Sequence, residues 1–406
     1  MYEVGVLSSP SAAESDADLG ASAARMIWDD QPGVDDLIDR RTPEFADAVV
    51  TGLANALASS PGALKRMMRG AAAAAEDLNV EPFQGLTEVL QNADDLRASE
   101  VRFAFRDTNA IRELLIVHNG QPVACQHVLG MALPFVTTKT NRTDQRGRFG
   151  IGLKTLKRIA DHLAIHSAPY HFSGDQLSVQ VVPAEGPLPG FYDPATDTMI
   201  VLRLKPDFSD EGLKAWFAEW EDDGLIFLTW VSSFRWCDLT GTTLEGRTLR
   251  FRAWENIALV GDHASITALS RREVQSTAAS WTVWRATLPV PDHLHPAHKA
   301  RAEVTQISIA MPSTMGAGSL HIGFKTRVAV DLSFSLDAQF DPSTTREALT
   351  ESKWNNWLIE RCGDVLGEIA YGRMLAAPKE AWRFVPVAAE YIGNEVDRWL
   401  RGGFAK

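Results

Sequence analysis

The chain has 406 residues, of which 45% are hydrophobic and 23% are charged, and its 40 basic and 52 acidic side chains give a net charge of −12. This length and apolar content predict two or three domains with buried cores, and they exclude disordered, collagen-like and disulfide-stapled proteins. No apolar run is long enough to span a bilayer, the N-terminus lacks a secretory pattern, and the acidic balance repels nucleic acid. We therefore expect a cytoplasmic protein whose partner is neither a membrane nor a nucleic acid.

The first element is an acidic N-terminal arm over residues 1–42. Residues 1–45 hold ten Asp or Glu against three Arg, and we expect the first 20 residues to be loosely ordered. Residues 43–78 then predict one or two Ala-rich helices with a break near 59–62. Another helix is predicted after Pro82, where one apolar stripe recurs at helical spacing: Leu86, Val89, Leu90, Ala93 and Leu96.

Strands alternate with helices in the rest of the chain. Alternating or continuous apolar residues predict strands near 101–105, 114–117, 163–167, 176–182 and 198–204. A glycine-rich loop at 147–152 is predicted to open a further helix that ends at about His162. Helices are further predicted at 210–222, 353–372 and 385–401, with a strand-rich stretch from 224 to 336. This pattern predicts an α+β fold with mostly antiparallel strands, in which a first domain over 43–206 precedes a second over 207–406.

Three polar residues share one face of the helix after Pro82. At 100° per residue, Glu88, Asn92 and Asp95 lie within 60° of one another and away from the apolar stripe. A carboxylate one turn from an amide is suited to orient water for attack on a γ-phosphate and to supply an oxygen to Mg²⁺, which takes few protein ligands. An ordinary solvated helix face has the same pattern.

A basic, glycine-rich stretch follows. Residues 138–158 carry a local charge of +6 within an acidic chain, which favours an anionic ligand. Glycines let the backbone approach a ligand closely, and the N–H groups at a helix start attract phosphate oxygens. The candidate binding loop is Gly147-Arg148-Phe149-Gly150-Ile151-Gly152, and it follows Lys139, whose ammonium could reach a phosphate. An ordinary glycine turn or a solvated helix face has the same pattern.

In this order, the motifs resemble those of the GHKL ATPases, which include the ninety-kilodalton heat-shock chaperone, the DNA gyrase B subunit and sensor histidine kinases. The segments 90–95, 118–120 and 147–152 are most similar to the sacsin-like branch. The resemblance implies a Bergerat-type helix layer on a mixed, largely antiparallel sheet, followed by a strand-rich α+β middle-type domain. It also implies ATP and Mg²⁺ as ligands, Glu88 as hydrolytic base, Asn92 as Mg²⁺ ligand and Thr198 near the adenine.

The sequence departs from the family at the base-binding box. Where the family has an Asp that accepts the adenine amino group, this chain reads His118-Asn119-Gly120-Gln121-Pro122. Asn119 Oδ1 or a neutral His118 could accept that hydrogen bond, although a carboxylate would bind it more strongly. In the second domain, Arg346 matches the arginine that the chaperone sends to the γ-phosphate.

The resemblance leaves several functions open. An ATP-driven switch or chaperone-like protein that acts on a protein partner, with nucleotide-dependent self-association, is the first. A catalytically silent nucleotide-binding or scaffold module is the second, because the adenine Asp is missing. A sensor kinase is a third, but no phosphoacceptor His precedes the helix that carries Asn92.

Overall fold

The computed structural model describes residues 14–31, 33–78, 83–108, 111–132, 156–175, 178–260, 265–294, 303–314, 318–328, 330, 332–341 and 349–381. Its α-helices are α1 Asp16–Trp28, α2 Pro43–Ser59, α3 Gly62–Leu78, α4 Gln84–Asp95, α5 Cys125–Ala132, α6 Asp210–Ala218, α7 Lys353–Ala376 and α8 Pro378–Ala381. Within the described part of the chain, no helix combines the length and apolar character needed to cross a membrane.

The first sheet has eight strands in the order β5-β4-β3-β6-β2-β1-β7-β8. The β1–β7 pair is parallel and the other pairs are antiparallel. The strands are β1 Glu100–Thr108, β2 Ile111–His118, β3 Ala160–Ser167, β4 Tyr170–Asp175, β5 Ser178–Val181, β6 Thr198–Leu204, β7 Ser233–Cys237 and β8 Thr243–Thr248.

The second sheet has the order β10-β11-β12-β13-β16-β14-β15, with β9 paired to β11. Its pairs are antiparallel except for β14–β16. The strands are β9 Arg250–Phe251, β10 Glu255–Ile257, β11 Ala268–Gln275, β12 Ser280–Pro289, β13 Val304–Pro312, β14 Leu320–Ile322, β15 Phe324–Lys325 and β16 Ser335–Ala338. The predicted α+β class is therefore confirmed.

A layer of helices covers one face of the first sheet. Alternate residues of β1, β2, β3 and β6 point into this layer, where they pack with buried side chains of α1, α2, α4 and α5. The same core continues into the second sheet through Val274, Trp281, Val283 and Phe324. Strands β7 and β8 belong to the first sheet although they lie beyond residue 206, so that sheet extends past the predicted boundary.

The prediction of a loosely ordered N-terminal stretch is wrong for residues 16–20, which open α1. Ser15 and Asp18 form a capping box: Ser15 Oγ accepts a hydrogen bond from Asp18 N, and Asp18 Oδ2 accepts one from Ser15 N. These bonds satisfy N–H groups at the helix start. Ala23, Ala24 and Ile27 then bury one face of α1. Acidic composition therefore marks the helix start here rather than disorder.

The predicted helix up to His162 is also wrong at its C-terminal end. A short 3-10 turn at Leu156–Arg158 gives way to β3 at Ala160, and His162 lies within that strand. Leu163 and Ile165 point into the helix-covered core, whereas Ala164 points to the opposite face of the sheet. This alternation has the period of a strand, and it decides the local structure.

Candidate functional site

Helix α4 places the three predicted polar residues beside one another. Leu86, Val89, Leu90 and Ala93 are buried against the sheet, so the helix orientation is fixed. Glu88, Asn92 and Asp95 lie on the less buried side, and each keeps part of its surface exposed. The predicted helical face is therefore confirmed.

Glu88 is held from within its own helix. The amide of Gln84, one turn earlier, donates from Nε2 to Glu88 Oε1 at 3.1 Å. Gln84 itself is buried, with 5% of its surface exposed. A buried amide that holds one carboxylate oxygen restricts the rotamers of Glu88 and orients its other oxygen.

The C-terminal end of α4 meets the loop that follows β2. Gln121 N donates to Leu96 O at 2.6 Å, and Gly120 lies directly against the same turn. A Cβ at Gly120 would lie 2.8 Å from Leu96 O and 3.1 Å from Ala98 Cβ, so only glycine fits this approach. The base-box residues and the polar helix therefore converge at one end of the first sheet.

The side chain of Asn119 is engaged in shaping that loop. Its Oδ1 accepts from the backbone N–H groups of Ser99 and Glu100 at 3.0 and 3.1 Å, and its Nδ2 donates to Ser99 Oγ at 2.9 Å. A carbonyl oxygen has two lone pairs, and both are used here. We therefore assign Asn119 to the geometry of the loop and not to a ligand's amino group.

His118, which the sequence predicts as a base-binding residue, carries a hydrogen-bond donor. It is buried, and burial lowers its pKa to about 4, so the ring is neutral at pH 7. Its Nδ1 accepts from the N–H of Gly120 at 3.3 Å, which assigns the single ring proton to Nε2. The expectation that His118 accepts a hydrogen bond from adenine is not met by this tautomer.

Thr198 is brought next to His118. The two residues are paired across the β2 and β6 strands. The Thr198 hydroxyl lies 2.7 Å from Ser167 Oγ, which in turn accepts from Val123 N at 2.9 Å. This buried network fixes Thr198 at the same end of the sheet.

Residues of the acidic arm close the network, and the sequence reasoning missed them. Arg41 donates from Nη1 to Val123 O at 3.0 Å, and Asp39 Oδ2 accepts from Tyr170 Oη at 3.0 Å and from Cys125 N at 3.1 Å. Burial raises the pKa of Tyr170, and it raises that of Cys125 to about 11, so both groups stay protonated. The only signal in the sequence for this role is the run of charged residues at 39–41, and these belong to the predicted acidic N-terminal arm.

The predicted phosphate side of the site falls outside the described residues. This holds for the residues assigned to it by motif: Lys139, Gly147, Arg148, Phe149, Gly150, Ile151, Gly152 and Arg346. The residues on either side of the segment that carries Arg346 are joined by one buried side chain, that of Asn355. The Asn355 side chain accepts from Asp341 N at 2.8 Å and donates to Asp341 O and Thr350 O at 2.8 and 2.7 Å.

The described part of the site combines a carboxylate, an amide and a buried imidazole donor at one end of a sheet. Such a set can orient a water molecule, supply an oxygen ligand and hydrogen-bond a planar polar ring. Comparison with known proteins adds no family to this geometry, since no family model matches the chain and no curated protein matches it.

Proposed function

We propose that this chain is a GHKL-type nucleotide-binding protein that binds ATP with Mg²⁺ and hydrolyses it slowly. In this proposal, nucleotide turnover times a conformational change that acts on a protein partner, in the manner of a sacsin-like or chaperone-like switch. Nucleotide-dependent self-association is one form that such a change can take.

One observation carries the proposal. The helix with Glu88, Asn92 and Asp95 ends against the loop of His118 and Gly120, and Thr198 lies across from His118. Three separate motifs of the resemblance therefore meet at one end of a mixed sheet under a helix layer. A chance match of short motifs would have no reason to bring them together.

The residues divide the chemistry between them. In this proposal Glu88, whose carboxylate accepts a hydrogen bond from Gln84, takes a proton from the attacking water. Asn92 fits a magnesium ion, because Mg²⁺ accepts a single protein oxygen and keeps several waters, and the ion when bound neutralises phosphate charge. The loop at 118–120 and Thr198 would border the base.

A silent nucleotide-binding module is the second candidate, and the base box favours it. Asn119 Oδ1 is already satisfied, and His118 presents a donor. The adenine amino group therefore lacks the charged acceptor that tightens binding in the family. Weak binding without turnover would follow if Glu88 does not reach the phosphate.

The two candidates differ in the effect of Glu88→Gln. We expect this variant to retain nucleotide binding and to lose turnover by about 100-fold or more, because a general base acts mainly in the transition state. Asn92→Ala is expected to lose both. Asp107→Asn, an exposed carboxylate on β1, is the matched control and should keep both.

Phosphate release measured under saturating ATP and Mg²⁺ checks this prediction. Equal turnover in the wild type and Glu88→Gln would reject the hydrolytic role of Glu88, and nucleotide binding without any turnover in the wild type would favour the silent module.

A further inference from the structure

The segment from Ile226 to Val231 lies between the two sheets and is bound by buried charges on both sides. Its last three N–H groups donate to Asp94 on α4, from Trp230 and Val231 to Oδ1 at 2.7 and 2.9 Å and from Thr229 to Oδ2 at 3.0 Å. Asp94 is only 3% exposed. Because a buried carboxylate needs such donors, these three peptide groups are fixed to the helix.

Two arginines of the second sheet hold the carbonyl side of the same segment. Arg272 on β11 donates to the carbonyls of Ile226, at 3.1 Å, and Leu228, and Arg285 on β12 donates to that of Phe227 at 3.1 Å. These carbonyls follow a 3-10 turn at Asp222–Leu225. Carbonyls at the end of a helical turn lack local donors, and cations there are favourable.

Aromatic rings restrict the two arginines. The Arg272 guanidinium carbon lies 4.0 Å from the ring centroid of Phe251 and 4.5 Å from that of Trp254, and Arg285 lies 4.5 Å from the same Trp254 ring. Arg272 is also buried, at 3% exposure. Stacking of this kind leaves a guanidinium little freedom to turn away from its carbonyl partners.

We infer that this arrangement, the 226–231 junction, couples α4 mechanically to β11 and β12. A displacement of α4 carries Asp94 with it, and the peptide groups follow because breaking their bonds would leave a buried charge without partners. The carbonyls on the other side then displace Arg272 and Arg285. That a bound nucleotide displaces α4 rests on the proposed function, since α4 carries Glu88 and Asn92.

Hydrogen exchange of the full chain without nucleotide tests the coupling first. We expect Asp94→Asn to speed amide exchange at 268–289 by about fivefold or more, and Arg272→Lys to do the same at 84–95, because coupling between two sites is reciprocal. Rates are normalised to β3, at the far side of the first sheet, so that a global loss of stability is subtracted. Asp107→Asn and Arg252→Lys, two exposed side chains, serve as controls.

Changes in exchange rate confined to the neighbourhood of each substitution would contradict the proposed coupling. This is the outcome if Asp94→Asn speeds amide exchange only at 84–95 and 226–231, and Arg272→Lys speeds it only in β11 and β12. If Asp94→Asn does not fold, Arg272→Lys alone decides, because its remote effect on α4 is measured in a chain that retains Asp94.

A second arm adds Mg²⁺ and the non-hydrolysable β,γ-imido analogue of ATP. Wild type is expected to gain protection at both 84–95 and 268–289, and Arg272→Lys only at 84–95. Protection of the amides at 268–289 from exchange in Arg272→Lys would contradict the proposed coupling. Failure of the wild type to gain protection at 84–95 would contradict the nucleotide proposal alone, since the nucleotide-free arm decides the coupling.

Discussion

At the residue scale, the base preference of the proposed nucleotide site depends on the polarity of His118. A neutral imidazole whose Nδ1 already accepts from Gly120 can only donate from Nε2. Adenine carries an amino donor at its six position, whereas hypoxanthine carries a carbonyl acceptor there. The same site is therefore expected to favour the carbonyl base.

This polarity predicts that ITP binds at least as tightly as ATP. The two nucleotides differ in the six substituent, and one hydrogen bond made in place of a donor clash is worth about 1 kcal/mol, or several-fold in affinity. Melting-temperature shifts at matched nucleotide concentrations measure the difference. A clearly larger stabilisation by ATP would show that His118 does not donate to the base.

A second residue-scale prediction concerns acid stability. Burial lowers the pKa of His118 to about 4, and burial with the neighbouring His171 and Arg106 lowers that of His166 to about 4. The unfolded chain binds protons more readily between pH 6.5 and 4, so each histidine's contribution is intact above pH 6.5. It is lost as pH falls toward 4, by about 3 kcal/mol per histidine.

Urea unfolding between pH 7 and 4 checks this prediction. His166→Gln should flatten the pH dependence of the unfolding free energy by about one proton. The same slope in wild type and His166→Gln would contradict the assignment.

At the element scale, α1 and α2 approach so closely that glycine is required at their contact. A Cβ at Gly20 would lie 2.4 Å from Phe45 O and 2.9 Å from Ala48 Cβ, and one at Gly52 would lie 2.6 Å from Ala24 Cβ. The close approach buries Ala23, Ala24 and Ile27 of the acidic arm in the first core. The arm is thus part of the folded unit from α1 onward.

Gly20→Ala is expected to destabilise the protein by about 1–3 kcal/mol, because the new methyl group forces the two helices apart. Gly70→Ala on α3 is the matched control. A Cβ there meets nothing within 4 Å, so helix propensity alone should stabilise the chain by about 0.5–1 kcal/mol. Equilibrium unfolding in urea measures both, and equal effects of the two substitutions would contradict the packing argument.

Periodicity predicted the elements whose burial follows from local sequence. The break between α2 and α3, the stripe on α4 and the span of β6 all agree with the structure. Asp94 could not be predicted, because its role depends on backbone groups about 135 residues further along the chain.

At the scale of the whole molecule, the two sheets share a core and a charged junction. Side chains of β11, β12 and β15 enter the core of the first sheet, and Arg272 and Arg285 bind the 226–231 segment. The change in composition near residue 206 therefore does not mark the edge of the first sheet, whose last two strands come later. Strand β7 pairs with β1, which lies far earlier in the chain, and no local pattern near residue 206 predicts that pairing.

Calorimetric titration of the full chain with ATP in excess Mg²⁺ tests the central claim, that the end of the first sheet is a nucleotide site. We predict a saturable heat in the wild type, weaker binding than a carboxylate in the base box would give, and loss of that heat in Asn92→Ala but not in Asp107→Asn. The absence of heat in the wild type at millimolar ATP, or an unchanged affinity in Asn92→Ala, would contradict the claim.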